Sequence, residues 1–293
     1  MENSRRVIAV DCGGTNLRVA LVDENLDILN VRRVPTVKGD GKKLFDVIAD
    51  LIDEVSGGEY IDSIGMSICG VVTHNHIGRC GNLGLEEGYD LVPLFNERYP
   101  SVPVRIANDA NCSAFVESRY GVCKGLLDCG FITISSGIGF GLVHNGEMVD
   151  LPLEAGRLFT LFDGNYYETE SLLSGYGLVK LAHHYGCGYI QSSAQFFGEV
   201  RRGNIDCKKV YDEWVRRLGE WLANLQLMFD CEAYAVSGGV WYCKDVFASD
   251  LAKIANAFVA NWKFHPVVLL DAEYKQDVGI CGAAAIALHE LEK

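Results

Sequence analysis

Residues Val7 to Asp23 read Val-Ile-Ala-Val-Asp-Cys-Gly-Gly-Thr-Asn-Leu-Arg-Val-Ala-Leu-Val-Asp, and no other stretch of the chain limits the fold as strongly. An apolar run ends at Asp11, turns through Gly13, Gly14 and Thr15, and continues as a second apolar run containing Arg18. Two short apolar runs about a glycine turn predict a β-hairpin. Glycines carry no Cβ, so backbone N–H groups there can approach an anion closely, and the Thr15 hydroxyl adds a donor. Asp11 ends a strand, where a carboxylate can hold a metal or a metal-bound water. The stretch reads either as a nucleotide-phosphate hairpin or as a plain Gly-Gly turn capped by an aspartate. It is neither a Walker loop nor a dinucleotide fingerprint, since both of those lead into a helix.

The chain has room for one large or two medium domains in its 293 residues, and 49% of them are apolar, enough for a filled core. A net charge of −13 argues against nucleic acid or an anionic membrane as the main partner. It leaves a phosphate substrate open, because such sites use local backbone donors and Mg²⁺. The 11 cysteines are scattered without a Cys-x-x-Cys pair. The residues before Val7 are polar and do not read as a secretory leader, and no apolar stretch reaches bilayer length. A reduced, cytoplasmic protein with cysteines as small core residues is expected.

Apolar spacing predicts helices over 44–55, 110–120, 210–229, 250–261 and 279–291, and strands over 61–72, 102–107, 233–236 and 266–270. Residues 130–149 repeat the design of the first hairpin: strand, polar glycine turn, strand. Two such hairpins, one opening each half, imply a duplicated α/β fold with a cleft between the halves, each turn reaching nucleotide phosphates from its own side.

Four motifs in order resemble the ROK family of sugar kinases and repressors over almost the whole chain. They are Asp11-x-Gly13-Gly14-Thr15-x-x-Arg18, Asn108-Asp109-Ala110-Asn111, Ser136-Gly137-Ile138-Gly139 and Ser237-Gly238-Gly239-Val240. The resemblance implies two ribonuclease-H-like α/β lobes of the actin/hexokinase type. A small lobe would span 1–117 with the helix 279–293 packing back, and a large lobe 118–278. It implies ATP as phosphoryl donor, with Gly13, Gly14 and Thr15 as first phosphate loop and Ser136, Gly137 and Gly139 as second. Gly238 and Gly239 would form the turn on which adenosine packs, and Mg²⁺ would lie with ATP near Asp11. Asp109 matches the family's general base. Asn108, Glu154 and Glu170 match its sugar ligands. Taken alone, Asp109 also reads as an N-cap for the helix that follows, and the two glutamates as ordinary surface acids.

Two departures matter. The family's Glu-x-Gly-His motif carries Arg157 in place of His, and residues 158–169 contain no cysteine, so the family's four-ligand zinc site cannot form there. Phe159, Phe162, Tyr166 and Tyr167 are expected to order that loop by packing. Arg157 either donates to the sugar or pairs with a carboxylate. The resemblance then leads to the zinc-less branch that includes bacterial N-acetylmannosamine kinases. It implies N-acetyl-D-mannosamine as acceptor at its 6-hydroxyl, with the turn ending at Gly70 leaving space for the acetamido group. A glucokinase or other hexose kinase is the competing reading, and a sugar-sensing relative without catalysis the non-enzymatic one. The helix-turn-helix module of the family's repressors has no place before Val7, which favours an enzyme. The family also implies a homodimer.

Overall fold

The structure is a computed structural model that describes residues 4–262 and 264–293. The chain divides into two units, one of Met1–Arg119, Met148–Pro152 and Gln276–Lys293, the other of Tyr120–Glu147 and Leu153–Lys275.

In the first unit, β1 (Arg6–Cys12), β2 (Asn16–Asp23) and β3 (Ile28–Pro35) pair antiparallel, while β4 (Ser63–Ile68) and β5 (Val104–Asn108) run parallel beyond β1. The sheet order is β3-β2-β1-β4-β5. Central strands covered on both faces tend to carry apolar residues at successive positions, as β1 does over 7–10, while the fully buried β4 alternates small residues (Ser63, Gly65, Ser67) with apolar ones. Alternation assigns each residue a side. Ile8, Val10, Ile64 and Met66 join Leu44, Ile48 and Ile52 of helix α1 (Gly41–Ser56) in one core. Ser63 and Gly65 meet the terminal helix instead. The Ser63 hydroxyl donates to the Ala287 carbonyl at 2.7 Å, and a Cβ on Gly65 would run into the Ala283 carbonyl. Helix α1 starts three residues before the predicted 44, where the Asp40 carboxylate accepts from the Lys43 N–H, and it stops at Gly57 in the left-handed conformation. Strand β4 is shorter than the predicted 61–72 because Gly70 adopts φ +107°, which ends the extended run. Helix α2 (Asp109–Arg119) follows β5 without a linker.

In the second unit, β6 (Cys129–Ile134) and β7 (Ile138–His144) form the second hairpin, with a two-residue strand at the β7 edge. Later come the hairpin β8 (Phe159–Phe162)–β9 (Asn165–Glu168), the helices α3 (Gly175–His184), α4 (Ser193–Arg201), α5 (Ile205–Phe229) and α6 (Lys244–Val259), and the strands β10 (Ala233–Ser237) and β11 (Leu269–Asp271). Strand β10 runs parallel to β6, and β11 parallel to β10. Both sheets therefore share one plan: an antiparallel hairpin, its first strand central, then two parallel strands. This is the ribonuclease-H-like arrangement in duplicate. Helix α6 begins before the predicted 250 because Phe247 is the first of its buried series with Leu251, Ala255 and Val259. Strand β11 begins after the predicted 266. Pro266 has no N–H for a ladder, and the Val267 N–H donates to the Asn256 side chain. Trp214, Phe197, Phe247 and Trp241 pack edge-on and stacked in the core, and Trp214 donates to the Leu173 carbonyl at 2.9 Å.

The terminal helix, α7, is Val278–Glu290. Among the described residues no helix is long and apolar enough to cross a membrane.

Candidate active site

The first glycine turn is fastened by Thr36. Its hydroxyl donates to the Gly13 carbonyl at 2.7 Å, and its N–H to the Thr15 carbonyl at 3.1 Å. Thr15 is exposed at the tip, and Gly14 lies close against Asn82. The hairpin register puts Arg18 opposite Asp11. Arg18 grips the Asp11 carboxylate with Nε at 2.9 Å and Nη2 at 2.8 Å. It also reaches Asp277 Oδ1 at 2.9 Å and the Gln276 carbonyl at 3.0 Å, at the entrance of α7. Burial pushes the Asp11 carboxyl above its usual range, with Arg18 pulling the other way. Gly279 leaves the space that Asp11 fills: a Cβ there would stand 2.5 Å from the carboxylate carbon. Arg18 carried no role in the sequence reading beyond its place in the motif. Nothing local marks Asp277, and Gly279 reads only as the start of the small-residue helix predicted over 279–291, with no link to Asp11.

Asn108 and Asp109 end β5 and begin α2. Asn108 Oδ1 accepts from the Ala110 and Asn111 N–H groups at 2.9 and 3.3 Å, and its amide donates to the Gly70 carbonyl at 2.9 Å. The cap of α2 is thus shared by Asn108, whereas Asp109 sits exposed in the first turn, with its Oδ1 2.9 Å from the Ala110 N–H. Negative charge is favoured at that helix end. Gly70 is required as glycine by its positive φ and by the Arg79 carbonyl, 2.8 Å from where a Cβ would lie.

In the second unit, Ser135 and Gly137 close the second turn through a 2.8 Å hydrogen bond, and the Gly175 N–H donates to the Ser135 carbonyl at 2.7 Å. Ser136 is exposed at the tip. Gly139 lies within β7, paired with Thr133, and not in the turn itself. Glu170 comes over this turn: its Oε2 accepts from the Ile138 N–H at 3.2 Å and stands 2.6 Å from where a Cβ on Gly137 would lie. The turn and one expected sugar ligand are therefore neighbours, which their separation in sequence did not reveal. Glu154 precedes a 3-10 turn, Ala155–Arg157, that Trp221 pins by donating to the Ala155 carbonyl at 2.9 Å. Arg157 pairs with carboxylates. It bonds Glu168 at 2.7 Å and lies 3.9 Å from Glu154 and 3.8 Å from Glu170. Gly238 has φ +103° and would drive a Cβ into the Ile134 carbonyl, while Gly239 faces open space.

Residues 158–169 form the β8–β9 hairpin, and among the described residues no group of three or more His, Cys, Asp or Glu could hold a metal. The aromatic packing expected there needs correction. Phe162 is buried against Tyr167, His184 and Tyr185, with the Arg217 guanidinium 5.1 Å from its ring. Phe159 and Tyr166 are exposed at 75% and 74% and order nothing inside the hairpin. A two-stranded hairpin turns alternate side chains to opposite faces, so one face packs and the other does not.

Residues 7–290 match the model of the ROK family. The chain belongs to the ROK family. Curated ROK relatives include the N-acetylmannosamine kinase of Escherichia fergusonii, 27% identical over 97% of this chain and 98% of the relative. That of Shigella flexneri is 27% identical over 97% and 99%. Among solved structures, the ROK hexokinase from Thermus thermophilus superposes with a TM-score of 0.83 at 24% identity, covering 98% of this chain and 99% of that one. A ROK glucokinase from Streptomyces griseus, in complex with glucose and AMPPNP, gives 0.75 at 24% identity, with 97% and 99% covered. Both agree with a fold of two ribonuclease-H-like units.

Proposed function

We propose that this chain transfers the γ-phosphoryl group of ATP to the 6-hydroxyl of N-acetyl-D-mannosamine. The chain is a sugar kinase of the ROK family, and the acceptor is inferred from the N-acetylmannosamine kinases it resembles. The observation that carries the catalytic part is the junction of β5 and α2. Asn108 holds the Ala110 and Asn111 N–H groups and the Gly70 carbonyl, and beside it the exposed residue Asp109 keeps its carboxylate at the helix N-terminus, with Oδ1 2.9 Å from the Ala110 N–H.

A sugar hydroxyl is a poor nucleophile. Asp109 takes its proton as the new O–P bond forms and the bond to the leaving ADP breaks. By resemblance to the family, Asn108, Glu154 and Glu170 are hydrogen-bonding ligands of other sugar hydroxyls and the turn ending at Gly70 leaves space for the acetamido group, while Arg157 stands beside the two glutamates. Gly14 and Thr15 offer backbone and hydroxyl donors to phosphates, as do Ser136 and Gly137; Gly13, whose N–H is held by the Asn16 carbonyl, and Gly139, paired with Thr133 in β7, shape the two hairpins, while Gly238 and Gly239 let adenosine lie on the backbone. Mg²⁺ travels with nucleotide phosphates and needs only one or two protein carboxylates, which Asp11 fits as a single oxygen ligand. An ion held there would supply positive charge to offset that developing on the phosphoryl oxygens. Family membership supports a cytoplasmic homodimer, which analytical ultracentrifugation would check.

The test is ATP turnover with Mg²⁺ over a panel of hexoses and N-acylhexosamines. N-acetylmannosamine should give the highest kcat/KM, with side activities on related sugars, because one extra group in a pocket discriminates only about 10–200-fold. A higher kcat/KM for glucose would make this a glucokinase and leave the kinase assignment standing. Phosphorylation of none of the sugars would remove the kinase assignment itself.

A further inference from the structure

Glu154, Glu168 and Glu170 come from separate pieces of the second unit: the start of the 3-10 turn, the end of β9, and the short helix Thr169–Leu173. All of them approach one guanidinium, unequally. Arg157 Nη1 bonds Glu168 Oε2 at 2.7 Å, whereas Nε stays 3.9 Å from Glu154 and Nη2 3.8 Å from Glu170. Arginine makes its strong contacts as close, charge-assisted pairs. At nearly 4 Å it still offsets the repulsion between carboxylates, but leaves their lone pairs open to other donors. Glu170 already gives one oxygen to the Ile138 N–H, so its remaining oxygen is the one at stake.

The geometry points to Glu168 as a positioning residue that holds Arg157 off Glu154 and Glu170. This rests on reading those two glutamates as acceptors for sugar hydroxyls. Glu168 has no need to touch the sugar. Its place is set by the hairpin, where it pairs with Phe159, and by the Ser171 hydroxyl donating to its carbonyl at 2.7 Å. Without the Glu168 carboxylate, a side-chain rotation of about an ångström brings the guanidinium into direct contact with Glu154 or Glu170. The acceptors are then consumed internally. The Arg157–Glu168 pair is about half exposed on both sides, so it contributes little to folding. Its loss should therefore change sugar binding and leave stability alone.

The experiment compares wild type, Glu168→Gln, Arg157→Met and the double variant by kcat, KM for N-acetylmannosamine, KM for ATP, and Tm. Glu168→Gln should raise the sugar KM about tenfold or more, the value of a hydrogen bond to a charged group, with the ATP KM and Tm unchanged. Adding Arg157→Met should recover most of that loss, because the guanidinium that masks the acceptors is gone. A purely structural role predicts the reverse, the double variant being worse. A sugar KM for Glu168→Gln within about threefold of wild type overturns the proposal, as does a double variant no better than Glu168→Gln or a parallel change in the ATP KM or Tm. A wild type that phosphorylates no sugar removes the kinase reading and this proposal with it. An active wild type with an unmoved Glu168→Gln removes this proposal alone.

Discussion

Replacing a helical glycine by alanine normally stabilises a protein, and Gly279→Ala should do the opposite. Gly279 lies in the first turn of α7, and helix propensity alone favours alanine by about 0.5–1 kcal/mol. Against this, the new Cβ would stand 2.5 Å from the Asp11 carboxylate carbon and 2.5 and 2.7 Å from its oxygens. A flexible side-chain tip would swing aside. Asp11 cannot do so freely, because Arg18 holds it by Nε and Nη2. Moving Asp11 sacrifices charge-assisted hydrogen bonds worth about 1.5–3 kcal/mol, and moving the helix overpacks its contacts at about 1–3 kcal/mol. Either route outweighs the propensity gain, and a net loss of about 1–2 kcal/mol is expected. Gly198→Ala is the internal control. It lies in α4 with nothing nearer its would-be Cβ than an Arg202 guanidinium nitrogen at 3.7 Å, so it should gain about 0.5–1 kcal/mol. Urea unfolding separates the two. Trp214, Trp221, Trp241 and Trp262 all lie in the second unit. Tryptophan fluorescence therefore follows that unit, and far-UV circular dichroism follows both. Gly279→Ala should shift the circular-dichroism transition to lower urea, and Gly198→Ala should shift the fluorescence transition to higher urea. A Gly279→Ala protein at least as stable as wild type would refute the packing argument.

Asp109→Asn should reduce kcat by about 10²–10⁴-fold while part of the sugar binding survives in calorimetry, and a variant keeping over a tenth of wild-type turnover would take Asp109 out of the base role. The purified protein should carry no stoichiometric zinc by elemental analysis, and a zinc chelator should leave Tm unmoved; one tight zinc per chain would show that the cysteine-free segment has been misread. All 11 cysteines are buried, so a thiol reagent at neutral pH should react slowly with the folded protein and much faster after denaturation. Burial pushes Cys231 up to about 12 and Cys281 up to about 11. The stability gained by keeping these thiols neutral is complete below the unfolded thiol value of about 8.5 and is lost as pH rises through the folded values. Substituting Ala at either position should therefore flatten the fall in urea midpoint between those limits, and an unchanged slope would count against it.

Local chemistry is legible in this sequence wherever neighbours along the chain decide the outcome. The Gly13-Gly14 turn joins two apolar runs, and the structure forms that hairpin with Asp11 opposite Arg18. Leu44, Ile48, Ile52 and Val55 repeat at helical spacing, and α1 buries them. Period and turn residues act over a few positions, so they determine elements and their order. Ends are less secure, since Gly70, Pro266 and Phe247 shift them through packing and missing donors that periodicity does not contain. The partners of the functional side chains lie beyond that range. Arg18 meets Asp277 across 259 positions, and Gly279 leaves room for the Asp11 carboxylate. Glu170 settles over Gly137, and Arg157 chooses Glu168 over two other glutamates within 4 Å. Which of several like charges an arginine takes depends on differences of about an ångström, set when strands and helices from distant parts of the chain close on one another. Residue type and spacing determined that this chain folds as paired α/β units with glycine turns; only tertiary packing decided which carboxylates are held, by what, and which oxygens are left to bind.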